Sequence, residues 1–279
     1  MKVQIVRILG NDFPSYHGKH HAALCLDYQL TYEVWKYPGI EVSSDYLLNR
    51  VWREESLSEI ENVIVDKGKG KRFKRIIFEP DEFQVARRLG NTPRILNALI
   101  GINNARNVSM EMFKNDADYL FVLDGGCCFT EEQSYALLSF LKNREPNGFV
   151  LLETIRCSIL KDLVNAPVSK SFTKNFEAEA QLGWHKSVSF QFDERLPYGT
   201  ADKAHVLWRL GVPGLWDNWH PELQGKYRRQ PLCYSTDVAG NVNRYPVAVM
   251  KTTSSNVVRA KYRFVGLDNL IKEAEIIYG

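Results

Sequence analysis

Asp124 is the residue whose position most clearly points to chemistry in this 279-residue chain. It closes the apolar run Tyr119 to Leu123 (YLFVL), and Gly125 and Gly126 follow it. Ligands of open α/β sheets collect outside the carboxyl ends of strands, so a carboxylate there can hold a cation or orient a polar group. The two glycines let backbone approach a bulky anion closely. Upstream, Arg106 offers a planar fork of donors suited to a diphosphate. Its plainer alternative is an exposed ion pair with Asp116 or Asp118. Downstream, the stretch Phe192 to Leu210 (FDERLPYGTADKAHVLWRL) carries Asp193, Glu194 and Asp202. Any of these carboxylates can accept a hydroxyl proton as a general base. Asp202 reads equally well as the N-cap or first-turn acid of a following helix. His220, after Trp216, Asp217 and Trp219, is a candidate metal ligand or phosphate contact. His17, His20 and His21 cluster near the amino end without a second set of ligands close in sequence, which argues against a metal site there.

Two of these stretches resemble the family 2 type of GT-A glycosyltransferase. In that family an Ala-Arg-Asn opens a helix, a hydrophobic strand follows, and the strand ends in an aspartate motif that holds a divalent metal on the donor diphosphate. Ala105, Arg106 and Asn107 match the first element and Asp124 the leading aspartate. The family has another acidic residue two positions on, where this chain has Gly126. One carboxylate with diphosphate oxygens and water can still satisfy Mg²⁺ or Mn²⁺, so metal dependence is open. The family's Phe-Asp-Glu, aromatic-Gly and acidic elements are matched by Asp193 and Glu194, by Tyr198 and Gly199, and by Asp202.

The resemblance implies a GT-A, Rossmann-like α/β fold with a mixed, mostly parallel central sheet flanked by helices. It implies one domain over residues 1–279, with a nucleotide-sugar half (1–125) and an acceptor half (126–279). The implied reaction is transfer from a nucleotide sugar, UDP-sugar favoured, to a glycan, lipid-linked or small-molecule acceptor, with inversion. Donor contacts fall to Gly10, Asn11, Asp12, Asn49, Arg50, Arg106, Asp124, Gly125 and Gly126. Trp184, His185 and Tyr198 become acceptor contacts, since aromatic faces and polar tips suit sugars. Asp124 and His220 become the metal ligands.

The elements that must position these residues are legible in part. Short β-branched runs alternate with helical patterns through the first half, which suggests βαβ units. Strands are expected at Val3 to Leu9, Asp45 to Val51, Arg75 to Phe78, Tyr119 to Leu123 and Gly148 to Thr154. Pro93 to Lys114 has helical spacing broken around Gly101 to Asn104. Thr130 is an expected N-cap, with Glu131 and Glu132 in the first turn. A short helix is expected within Gly199 to Leu210 and a terminal one over Leu267 to Tyr278. Ser158 to Ala180 is polar and poorly periodic.

The net charge of +3, from 36 basic and 33 acidic residues, gives no global field for nucleic acid. No apolar stretch is long enough to span a membrane. Five cysteines, an odd number, do not suggest a secreted disulfide framework, and a cytoplasmic setting is expected. The adjacent Cys127 and Cys128 suit small buried positions at a sheet edge. The basic run Lys67 to Arg75 (KGKGKRFKR) reads as a solvated loop, with peripheral contact to a membrane surface or an acidic acceptor as the alternative. A sugar nucleotidyltransferase would place a glycine-rich basic loop after the first strand, and Gly10 to His17 (GNDFPSYH) has one glycine and no Lys or Arg. A nicotinamide or methyl-donor enzyme would want Gly-x-Gly there. An inactive nucleotide-sugar or glycan-binding protein is the remaining alternative.

Overall fold

A continuous apolar run needs cover on both faces, and Tyr119–Asp124 receives it at the middle of one sheet. The computed structural model describes residues 1–12, 19–113, 117–157, 179–198, 203–210, 242–245, 249–252 and 260–279. In chain order the elements are β1 (Lys2–Leu9), α1 (His21–Tyr32), β2 (Glu41–Asn49), α2 (Glu54–Lys67), β3 (Phe73–Ile76), α3 (Pro80–Arg88), α4 (Thr92–Leu99), α5 (Ile102–Phe113) and β4 (Tyr119–Asp124). They continue with β5 (Cys127–Cys128), α6 (Glu131–Lys142), β6 (Phe149–Cys157), β7 (Glu179–His185), α7 (Ala204–Arg209), β8 (Val242–Arg244), β9 (Val249–Thr252) and α8 (Ala260–Tyr278).

The described strands form one sheet in the order β3-β2-β1-β4-β7-β6-β9-β5, with β8 beside β6. The β3-β2-β1-β4 part is parallel throughout. Strand β7 runs antiparallel to both β4 and β6. This is a mixed, mostly parallel, Rossmann-like α/β architecture. The chain steps outward from β1 to β2 and β3, then returns to the other side of β1 as β4. The place where strand order reverses therefore lies between β1 and β4, and open α/β sheets bind ligands at such a point.

Local chemistry explains several boundaries. Strand β2 begins before the expected Asp45 and stops at Asn49, because Arg50 turns into the left-handed region with φ 49°. The helical pattern from Pro93 to Lys114 breaks at Ile100 and Gly101, where Gly101 has φ 47° and a Cβ would meet the Arg50 guanidinium at 2.6 Å. Helix α6 has the expected cap: Thr130 accepts from the Gln133 amide and the Gln133 side chain accepts from the Thr130 amide. Helix α8 begins at Ala260, well before the expected Leu267.

Strand β7 was not expected. Its Gly183 lies opposite Phe121 of β4, and a Cβ there would fall 2.2 Å from the Phe121 ring. The basic run is partly structural: Lys67 bonds Asp27, and Arg72 pairs with Asp45 and lies over the Phe113 ring. Lys69 and Lys71 between them are exposed. Cys127 and Cys128 are buried in edge strand β5. No described helix is long and apolar enough to cross a membrane.

Candidate functional site

The carboxyl ends of β1, β2 and β4 meet around one cleft at the strand-order reversal. Its lining includes Gly10, Asn11 and Asp12 after β1, Asn49 at the end of β2, and Asp124, Gly125 and Gly126 at the end of β4. Tyr198, His21 and Cys25 also line it. Residues far apart in sequence thus converge because parallel strands in one layer end on the same side. The described residues enclose about 110 Å³ here, room for a diphosphate or a planar base rather than a whole nucleotide sugar.

Each of these residues has a definite local task. The Asn11 side chain donates to the Arg50 carbonyl at 2.7 Å and accepts from the Trp52 and Arg53 amides, so it ties the ends of β1 and β2 together. Asn49 donates to the Ile100 carbonyl, which fixes the break between α4 and α5 to the strand end. Gly125 is required by the chain itself: a Cβ there would lie 2.7 Å from the Ile8 carbonyl oxygen. Gln29 on α1 donates to the Gly125 carbonyl at 2.6 Å and holds the same turn from behind.

Asp12 lines the cleft, and its carboxylate accepts from the Ala22 amide at the start of α1 at 2.9 Å. Burial pushes its carboxyl above the usual range, although the Ala22 bond and His21 act against that. Its folded value therefore exceeds the unfolded value of about 3.9. The associated stability is fully present below that pH and is lost as pH rises through the folded value. Asp12→Asn keeps the acceptor for Ala22 and removes the buried charge. The variant is expected to be more stable than the native chain at pH 7, with the gain vanishing near pH 3; urea unfolding at the two pH values checks it.

Asp124 sits among donors. Its Oδ1 accepts from Arg106 Nη2 at 3.3 Å, and its Oδ2 accepts from Lys203 Nζ at 2.8 Å and Gln181 Nε2 at 3.0 Å. Arg106 is buried, so the alternative of an exposed pair with Asp116 or Asp118 does not hold: Asp118 bonds Lys186, and Asp116 lies outside the described residues. Lys203 and Gln181 were not singled out from sequence. Lys203 stands just before α7, inside the stretch that carries the Phe-Asp-Glu, and that adjacency was its one available signal.

Helix α5 joins the two sequence motifs. Its first turns present Asn103, Asn104, Arg106 and Asn107. Arg106 Nη1 donates to Asn103 Oδ1 at 2.7 Å, and Asn103 donates to the Asp193 carbonyl at 2.9 Å. Asn107 exchanges bonds with the Phe192 backbone and donates to Glu194 Oε1 at 2.8 Å, while Asn104 donates to Glu194 Oε2 at 3.2 Å. A second cavity of about 730 Å³ is lined by Arg50, Gly101, Asn97, Asn104, Glu194 and Arg195. The Asp193 carboxylate is tied to Arg195 at 2.8 Å.

Two expected acceptor contacts are elsewhere. Trp184 is fully buried against Phe190 and Phe192, so no sugar reaches its face. His185 pairs with Tyr119 at the far end of β4, about 17 Å along the strand from Asp124. Asp202, Gly199 and His220 lie outside the described residues, as do His17, Trp216 and Trp219. His20 does find a second set of donors across space, the exposed Glu55 and the half-buried Glu59 of α2.

No family model and no curated protein matches the chain. Among solved structures, it is similar to mouse xyloside xylosyltransferase 1 in its apo form. Identity is 10%, with 81% of this chain and 76% of that chain covered, at a TM-score of 0.30. What the chain does is therefore read from its own residues.

Asp124 is the one expected metal ligand among the described residues, since His220 lies outside them. It belongs to no cluster of three metal-donor side chains among the described residues. Position 126 is glycine, and both Asp124 oxygens already face cations. Adding two positive charges beside Arg106 and Lys203 sets like charges together in a site partly closed to water.

Proposed function

We propose that the chain transfers a glycosyl group from a nucleoside-diphosphate sugar, UDP-sugar favoured, to a hydroxyl acceptor in the manner of a GT-A enzyme. The observation that carries this is the cleft at the strand-order reversal, where Gly10, Asp12, Asn49, Asp124, Gly125 and Gly126 share one wall. The diphosphate lies against those strand ends. The acceptor lies on the side of the second cavity, whose amides and charged groups suit vicinal hydroxyls.

In the transfer, the bond between the sugar's anomeric carbon and the diphosphate oxygen breaks with its electron pair going to that oxygen. The acceptor oxygen bonds the same carbon, and its proton passes to a carboxylate. Glu194 is the best placed of the described candidates, since amides of Asn104 and Asn107 orient it at the cavity wall. Asp193 is committed to Arg195, and Tyr198 lines the donor cleft. A single domain agrees with one sheet shared by strands from both halves.

Calorimetric titration with UDP-, GDP-, CDP- and dTDP-sugars tests the donor site. One base is expected to bind, and Ala22→Phe, which places a ring at the cleft wall, is expected to weaken it by about tenfold or more. Binding that ignores this substitution would locate the ligand elsewhere. Binding without turnover on any acceptor would leave a nucleotide-sugar-binding protein.

A further inference from the structure

The geometry points to a binding site for a divalent transition-metal cation, Zn²⁺ first, formed by His20, Glu55 and Glu59, which would clamp the start of α1 to the start of α2. None of the three lines the donor cleft or the second cavity. Glu55 and Glu59 stand four residues apart in the first turns of α2, so their carboxylates leave the same face of the helix. His20 is the residue before α1, and its Nδ1 lies 2.5 Å from Glu59 Oε1. One donor atom from each of the three falls within 4.8 Å of the others. Among the described residues, no other three His, Cys, Asp or Glu side chains come this close.

Like charges one turn apart on a helix repel. Helix α2 and the chain before it give this pair no cation: the other residues three and four positions away are Val51, Trp52, Ser56, Ser58, Asn62 and Val63. The basic residues at the two ends of α2 are engaged elsewhere, Arg53 with Glu273 and Lys67 with Asp27. Among the described residues, His20 is the one basic group paired with either carboxylate. A divalent cation supplies both negative charges with a counter-charge.

The donor set selects the metal. An imidazole nitrogen favours first-row transition metals over Mg²⁺ and Ca²⁺, which prefer oxygen throughout. One nitrogen and two carboxylate oxygens leave a fourth tetrahedral position for water. Zinc bonds of about 2.0–2.2 Å set tetrahedral donors about 3.3 Å apart, so His20 and Glu59 must separate by about 0.8 Å from their 2.5 Å contact. Both side chains have room to do so, at 49% and 27% exposed. The Ala22 amide, two residues after His20, bonds the Asp12 carboxylate, and Arg53, just before α2, donates to the Asp12 carbonyl. The cation thus fastens the two helix starts that flank Asp12.

Calorimetry on the metal-stripped full chain with Zn²⁺, Mn²⁺ and Mg²⁺ tests this, with melting followed in parallel. One Zn²⁺ per chain is expected to bind, about tenfold or more tighter than Mg²⁺, and to raise the melting temperature. His20→Asn tolerates the left-handed backbone at φ 62°, and Glu55→Gln and Glu59→Gln keep the side-chain shape. Each is expected to fold, to weaken Zn²⁺ by about tenfold or more, and to lose the melting shift. Co²⁺ in place of Zn²⁺ is expected to give a visible absorption band that His20→Asn changes. Asp124→Asn is expected to leave the Zn²⁺ affinity as it is, which separates this site from the donor cleft. The site is overturned by an absence of one-to-one binding, or by an affinity that all three substitutions leave within about twofold of the native chain. Loss of binding in Asp124→Asn alone overturns it as well and moves the cation to the cleft. Mg²⁺ binding as tight as Zn²⁺ would show that the imidazole is not a ligand, with the same result.

Discussion

Glu33→Ala is expected to cost about 3–5 kcal/mol of folding stability, the usual range when one partner of a buried ion pair is removed. Arg7 and Glu33 face each other at 2.5 Å with side chains 0% and 2% exposed. Without Glu33, the Arg7 guanidinium keeps bonds to Ser44 and the Cys127 carbonyl but has no counter-charge. The Trp35 indole and the Phe129 amide lose their acceptor as well. In a chain of this size the loss corresponds to a fall in melting temperature of roughly 5–10 °C.

The double variant Arg7→Met/Glu33→Leu is expected to recover most of that loss, because replacing a buried pair with apolar groups of similar volume is often neutral. Urea midpoints for the singles and the double give the coupling energy. A single-variant loss below about 1 kcal/mol would show that water reaches the pair. The consequence extends to the cleft. Arg7 and Gln29 both bond the Cys127 carbonyl, and Gln29 bonds Gly125, so the pair underpins the turn that forms the cleft floor.

The second large effect is at the cleft itself. Asp124→Ala is expected to destabilise the fold by about 2–3 kcal/mol, below the range for a fully buried pair because Asp124 is 20% exposed. Arg106 would be left charged and buried, bonded to Asn103. Asp124→Asn keeps the shape and an acceptor oxygen, so its cost is expected to be about half as large. Thermal and urea unfolding of both variants decide the point. Equal losses would mean that the charge itself matters and the hydrogen bonds do not. A loss in neither would mean that Arg106 is neutralised by another group.

Sequence by itself determined the alternation of elements, the run that became β4, the capping box at Thr130, and a strand-terminal Asp124 with its glycines. These depend on neighbours a few residues apart, where periodicity, caps and turn chemistry act. It also placed Gly10, Asp12 and Asn49 at strand ends, because parallel strands that begin on one edge must finish on the other.

Only the tertiary structure decided the partners. That Arg106 turns inward to Asp124, that Lys203 and Gln181 arrive from elements far along the chain, and that His20 meets Glu55 and Glu59 are consequences of packing. Trp184 reads as an acceptor contact, yet it lies with Gly183 inside β7. Position 183 needs a glycine because the Phe121 ring claims the space that a Cβ would fill. Long-range contacts of this kind leave no local pattern, because the energy that fixes them comes from burial shared among residues the sequence keeps apart.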